Sequence, residues 1–195
     1  MPDERQLVER AKKGDGDAFE QLYRAYVDRV YSYIAFRVRE RELAEDLTQE
    51  VFIQALRALD GFDWRGSLAP WLLRIARNTV VDYWRRLGRR RDRALSVAEA
   101  GEESDEDSLI GRMPDMDGEE AVSRAEHALD RQRFAVAAAG LTDLQQQVLA
   151  LRFSAELSIK ETAEIMGRSE GAIKNLQHHA LRALKRQLGW DEESE

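Results

Sequence analysis

A stripe of small, polar and cationic residues near the C-terminus has the composition of a surface that contacts nucleic acid. Its members share one face of a predicted helix, and they are Gly171, Lys174, Asn175, His178 and Arg182. Lysine and arginine donate hydrogen bonds to phosphates, whereas asparagine and histidine can reach base edges in a major groove. The opposite face of this helix is apolar. We therefore expect it to pack inward and to leave the stripe exposed.

The residues before this stripe predict a helix-turn-helix motif. Ser158 and Glu161 form a capping box at the start of a short helix, which Gly167 then ends. Ser169 can cap the longer helix that carries the stripe, and another capping box is expected over residues 142–145. An ordinary antiparallel helix pair with a solvated polar face would show the same helical pattern. The caps, the glycine and the cationic stripe together favour duplex DNA as the ligand.

A second patch, in residues 61–91, mixes aromatic and basic side chains. Its aromatic residues are Phe62, Trp64, Trp71, Tyr83 and Trp84, and its interleaved arginines are Arg65, Arg74, Arg77, Arg85 and Arg86. This mixture suits single-stranded nucleic acid, because bases stack on rings while phosphates pair with guanidinium groups. The helical spacing of Trp71 and Tyr83 favours a plainer interpretation for those two rings, which is packing in the core.

The elements that must position both patches are predicted to be helices. Aromatic and aliphatic residues recur at helical spacing over residues 19–34, and a second amphipathic helix is expected over residues 42–59. Ser67 can cap a third helix that extends to about Leu87. No convincing strand pattern is present, so the sequence predicts an all-α fold.

The charge distribution predicts two domains. The 195-residue chain has a net charge of −7, but over residues 99–120 ten acidic residues stand against one basic residue, Arg112. The glycine and serine content of this stretch is also typical of a solvated linker. We therefore expect two small helical domains, residues 1–95 and 121–190, joined by an acidic flexible linker over residues 96–120.

The composition also limits the class of protein. The chain has no cysteine and three histidines, so the sequence predicts no metal site and no cofactor. The charged N-terminus does not resemble a signal peptide, and no segment reaches the roughly 18 apolar residues of a membrane span. We therefore expect a cytoplasmic protein without membrane insertion. A phosphate-binding glycine loop and a nucleophile elbow are both missing, which argues against an enzyme.

The two patches together resemble the extracytoplasmic-function (ECF) sigma factors of the sigma-70 family. DLTQEVFIQAL and DWRGSLAPWLLRIARNTVVDYWRR are similar to their region 2. LTDLQQQVLALRF and SIKETAEIMGRSEGAIKNLQHHALRALK are similar to their region 4, and the order and spacing of the motifs both match. The resemblance implies a subunit that binds core RNA polymerase and directs transcription initiation at promoter DNA. It also implies that an anti-sigma factor inhibits the protein.

The resemblance assigns roles to individual residues. The residues that would bind the polymerase are Asp46, Gln49 and Glu50. Those that would hold the unpaired non-template strand of the −10 element are Phe62, Trp64, Arg65, Ser67 and Asn78. Those that would contact the −35 element as duplex are Ser169, Gly171, Lys174, Asn175, His178 and Arg182.

The alternative interpretation is a helix-turn-helix transcriptional regulator that acts independently of the polymerase. It predicts tight binding of duplex DNA by this chain alone, with the N-terminal half serving for dimerisation or ligand sensing. The sequence shows no seam for a symmetric dimer. The alternative also leaves the mixture of tryptophan and arginine unexplained.

Overall fold

The described part of the chain is built from helices, as the sequence predicts. A computed structural model describes residues 3–38, 40–97 and 136–190, and no strand occurs within these ranges. The N-terminal helices are α1 (Glu4–Lys12), α2 (Gly16–Val38), α3 (Arg41–Ala58) and α4 (Ala69–Val97), with a 3₁₀ turn over Leu59–Gly61 before α4. Nearly all of the predicted linker, residues 96–120, lies outside the described residues.

The C-terminal part contains three further helices. They are α5 (Asp143–Leu149), α6 (Ile159–Met166) and α7 (Glu170–Leu188), and a π-helical turn over Ala150–Ser154 follows α5. The capping box predicted before α5 is confirmed. The Gln145 N–H donates to the Thr142 hydroxyl at 3.4 Å, and the Gln145 carboxamide oxygen accepts from the Thr142 N–H at 3.0 Å. No helix in the described ranges is long and apolar enough to span a membrane.

Helix α2 lies at the centre of the N-terminal domain, where it packs against α1, α3 and α4. Its buried face includes Leu22, Val30 and Ile34, which confirms the predicted amphipathic stripe. Val51 of α3 and Leu72 of α4 are buried in the same core. This packing places the start of α4, and the residues just before it, at one end of the bundle.

Two features of this domain differ from the sequence prediction. Helix α4 continues to Val97 rather than ending near Leu87, because the arginines beyond Gly88 are good helix formers and one glycine costs only about 1 kcal/mol. Helix α1 was not predicted at all. It has nine residues, which is too short for a long periodic pattern in the sequence. Burial of Leu7 and Val8 holds it against α2.

Two arginines of α2 connect the N-terminal domain to the C-terminal domain. Arg37 donates to the Asp143 carboxylate, to the Asp143 carbonyl at 3.1 Å and to Gln146 Oε1 at 3.5 Å. Arg29 donates to the carbonyls of Ala155 and, at 3.1 Å, Glu156. The Tyr33 phenol is fully buried beside Arg37, and burial raises its pKa to about 12. These contacts join residues more than 100 positions apart in the sequence.

Candidate nucleic-acid interface

Helices α6 and α7 form the predicted helix-turn-helix. The Glu161 N–H donates to the Ser158 hydroxyl at 3.2 Å, and the Glu161 carboxylate accepts from the Ser158 N–H at 2.8 Å. Gly167 ends α6 with a φ of 63°, a left-handed conformation that suits glycine. The Ser169 hydroxyl then caps α7 by accepting from the Ala172 N–H at 3.2 Å. The glycine at the end of α6 and the serine cap of α7 therefore define the turn between the two helices.

The stripe on α7 faces outward. Gly171, Lys174, Asn175, His178 and Arg182 are all exposed, as is the capping residue Ser169, whereas Ile173, Ala180 and Leu184 are buried on the opposite side. Within the described part of the chain, no hydrogen bond or ion pair holds the side chains of Lys174, Asn175 or Arg182. Among the described residues, nothing therefore competes with a ligand for the donors of these three side chains.

The predicted single-strand residues lie in and just after the tryptophan loop, defined here as residues 62–68. Trp64 and Ser67 are partly exposed, whereas Arg65 and Asn78 are exposed. Phe62 is 4% exposed, and its ring contacts Trp64 and Trp71 at centroid distances of 6.2 and 5.0 Å. The Phe62 ring therefore packs against the other two rings and is too buried to stack on a base.

Helix α1 holds both ends of the tryptophan loop. The Lys12 ammonium donates to the Phe62 carbonyl at 2.6 Å. At the other end, the Glu4 carboxylate accepts from the Leu68 N–H at 2.8 Å. Sequence reasoning missed both residues, since partners about 50 and 64 positions apart leave no local pattern.

The tryptophan loop faces α6 across a cavity of about 580 Å³. One wall includes Arg65, Ser67 and Arg74, and the opposite wall includes Lys160, Glu161 and Glu164. The two domains therefore approach each other at the candidate single-strand surface. Both walls carry charges of both signs, with Asp63 beside the two arginines and Lys160 beside the two glutamates.

The predicted polymerase-binding residues lie on α3, away from the core. Asp46 and Gln49 are exposed, and Glu50 is half-buried with the Arg86 guanidinium 3.8 Å away. Ile53 and Leu56 are 50% and 53% exposed on the same helix. Residue type alone suggests burial for these two side chains, yet their spacing of four and seven from Gln49 places them on the polar side of α3.

Two family models match the chain in the order that its motifs predict. Sigma-70 region 2 matches residues 22–90, which include α3 and the tryptophan loop. Sigma-70, region 4 matches residues 137–186, which include the helix-turn-helix. The chain therefore belongs to the sigma-70 family.

Its relatives place the chain in the ECF group of that family. It is 40% identical over 188 residues to the ECF RNA polymerase sigma factor BldN of Streptomyces coelicolor, covering 94% of this chain but 65% of BldN. It is 32% identical over 172 residues to the ECF RNA polymerase sigma factor SigX of Bacillus subtilis, covering 88% of this chain and 84% of SigX.

A solved structure shares the fold. It is the co-crystal structure of the sigma factor RpoE with the anti-sigma factor NepR from Bartonella quintana. The similarity has a TM-score of 0.65 at 24% identity, and it covers 89% of this chain and 98% of RpoE.

Proposed function

We propose that this chain binds core RNA polymerase and directs transcription initiation at specific promoters. The observation that carries the proposal is the occurrence, in one chain, of an exposed helix-turn-helix stripe within region 4 and a tryptophan loop within region 2. A regulator that binds duplex DNA alone needs the stripe but not the loop. The proposed role is regulatory rather than catalytic. The proposed cellular location is the cytoplasm, where polymerase and promoter meet.

The tryptophan loop is the proposed site for the −10 element. Trp64 offers a partly exposed ring for stacking, and Arg65 offers an exposed guanidinium for phosphate. Ser67 and Asn78 add polar groups, and the ring of Phe62 supports that of Trp64. Contacts of this kind offset the cost of unstacking a base, so the loop can favour strand separation without ATP. Arg65 and Ser67 also line the cavity that faces α6, so a strand bound to them would lie beside that helix.

The stripe on α7 is the proposed site for the −35 element. Lys174 and Arg182 supply cationic donors, and Asn175 and His178 supply groups for base edges. Beyond the neighbouring backbone of α7, a Cβ at Gly171 would meet no atom of the described residues within 4 Å, which leaves room for DNA to approach the backbone. Ser169 is exposed at the N-terminus of the same helix, where the helix dipole favours phosphate.

The outer face of α3 is the proposed site for the polymerase. Asp46 and Gln49 supply polar groups, and Glu50 is held in place by Arg86 and by Gln54, which donates to it at 2.9 Å. Ile53 and Leu56 supply exposed apolar area beside them. An interface core needs such apolar area within a polar rim.

An anti-sigma factor is the proposed inhibitor. The sigma factor RpoE, which shares this fold, binds the anti-sigma factor NepR. A protein that covered both the tryptophan loop and the stripe on α7 would block the two proposed DNA contacts at once. We assign these contacts to domains 1–95 and 121–190, with residues 96–120 as the acidic linker between them.

Run-off transcription tests the proposal. Purified core polymerase is given a pool of fragmented bacterial genomic DNA, with and without this protein, and new discrete start sites that require the protein are expected. Asp46→Ala should reduce those starts and weaken co-elution with core, whereas the matched control Asp28→Ala, which removes an exposed carboxylate from α2, should not. No new starts, together with tight binding of duplex DNA by the chain alone, would favour the polymerase-independent regulator.

A further inference from the structure

We propose that α1 positions the tryptophan loop for promoter melting, through Glu4 at one end of the loop and Lys12 at the other. This inference rests on the proposed function of the loop. Residues 4–12 lie before residue 22, where the match to region 2 begins. Helix α1 is therefore connected to the loop by the contacts of this chain and lies outside the matched residues.

Glu4 completes the N-terminal cap of α4 from another helix. Leu68 is the residue before α4, and its apolar side chain cannot cap the helix. The Ser67 hydroxyl accepts from the Ala69 N–H at 3.2 Å, and Glu4 accepts from the Leu68 N–H at 2.8 Å. In an ordinary capping box, a glutamate within the helix makes that second bond. Here α1 supplies it, with a negative charge placed near the positive end of the α4 dipole.

Tyr26 holds the Glu4 carboxylate in position. Its hydroxyl donates to Glu4 Oε1 at 2.5 Å, the same oxygen that accepts from Leu68. Burial, together with the carboxylate, raises the pKa of Tyr26 well above its usual value, so the phenol stays protonated and remains a donor. Glu4 is thus fixed between α2 and the end of the loop.

Lys12 anchors the opposite end of the loop at the Phe62 carbonyl. Phe62 is the residue whose ring supports Trp64 and Trp71. A shift of its backbone would therefore move the rings proposed to capture a base. Both anchors lie on one rigid helix, so α1 fixes the two loop ends relative to each other.

The loop needs these anchors because its own backbone is weakly held. In the described structure, no backbone-to-backbone hydrogen bond involves residues 63–67. Gly66, with a φ of 100°, lets the chain turn sharply before α4. A loop without such anchors would have to be ordered at the moment of strand capture, and that ordering costs free energy.

Promoter-opening kinetics test the inference with four variants of the full-length protein in holoenzyme. Glu4→Ala is expected to slow opening about tenfold, as for loss of the charge-assisted hydrogen bond that joins Glu4 to the loop at Leu68, and Lys12→Ala should slow it several-fold. Closed-complex affinity and co-elution with core should stay unchanged. Glu4→Gln keeps an acceptor oxygen and Lys12→Arg keeps a cationic donor, so both should recover most of the rate.

Glu9→Ala and Lys13→Ala are the matched controls, because Glu9 is an exposed charge on α1 and Lys13 is an exposed charge on the residue directly after it. Opening by the Glu4 and Lys12 alanine variants at the rate of these controls would overturn the inference. A loss shared equally by core binding and by opening would also overturn it, since general unfolding of the domain would explain both.

Amide hydrogen exchange separates this inference from the proposed function. Exchange at the Leu68 N–H should be about tenfold faster in Glu4→Ala than in Glu9→Ala, since its one acceptor is lost. Unchanged exchange would show that Glu4 does not anchor the loop. If the wild-type protein supported no promoter-dependent starts, the proposed function would fail, whereas the exchange result would still report on the anchor.

Discussion

The ion pair between Arg37 and Asp143 links the two domains, and its strength can be measured as a coupling free energy. The Arg37 side chain is 3% exposed, whereas that of Asp143 is 68% exposed. Asp143→Ala would leave a buried guanidinium without its charged partner. Arg37→Met would instead remove the buried charge and leave a carboxylate that water can solvate. The two single variants should therefore differ in cost although they break the same pair.

The cost of Asp143→Ala in free energy of unfolding lies between two limits. Losing one partner of a fully buried pair costs about 3–5 kcal/mol, whereas an exposed pair contributes at most about 1 kcal/mol. Arg37 would keep the Asp143 carbonyl at 3.1 Å and Gln146 at 3.5 Å. We therefore expect Asp143→Ala to lower the free energy of unfolding by about 2 kcal/mol. In the Arg37→Met background the same change should cost well under about 1 kcal/mol.

Urea unfolding of the wild-type protein, both single variants and the double variant gives the coupling free energy directly. The cycle also cancels the separate effect of Asp143 on the α5 dipole, because that effect is present in both backgrounds. A coupling of more than about 1 kcal/mol is expected. A value below about 0.5 kcal/mol would refute the reasoning, since the Arg37 guanidinium would then have no dependence on the Asp143 carboxylate.

Three further predictions concern the DNA surfaces and the acid stability of the chain. Lys174→Ala or Arg182→Ala should lower promoter-specific transcription by a few-fold to a hundredfold, at about 1–3 kcal/mol per lost contact, and should leave core binding unchanged; unaltered output would remove the residue from the DNA face. Trp64→Ala should slow promoter opening more than it weakens the closed complex, and equal losses in the two assays would identify Trp64 as purely structural. The Ala18 N–H lowers the pKa of the Asp15 carboxyl below 3.8 in the folded protein. Asp15 therefore contributes stability above that value, and the contribution is lost as the pH falls through the lower folded pKa. Asp15→Asn keeps the capping oxygen, so urea unfolding at about pH 5 and about pH 3 should show a smaller acid loss than in wild type; an identical loss would contradict this assignment.

Elements defined by neighbouring residues could be predicted from the sequence. The capping boxes at Thr142 and Ser158 are both present, because a cap depends on side chains within three positions of the helix start. Ser169 caps α7 for the same reason. The outward direction of the stripe followed from helical periodicity alone. Its residues could therefore be named before any tertiary contact was known.

Features that depend on packing could not be predicted in this way. Ile53 and Leu56 are a different case, because their helical spacing from Gln49 predicts the polar side of α3 although their residue type alone suggests burial. Arg37 belongs to a residue type that is almost never fully buried unless paired. Its partner Asp143 lies 106 positions away, and no local pattern could identify it.

The tryptophan loop shows how these two kinds of information combine. Its residue types suggest single-strand capture, but a stacking ring is useful only where the backbone presents it correctly. That presentation depends on Glu4 and Lys12, neither of which has the chemistry of a base-binding residue. A variant scan confined to the loop would therefore miss part of its function. Substitutions in α1 should change promoter opening even though α1 need not touch DNA.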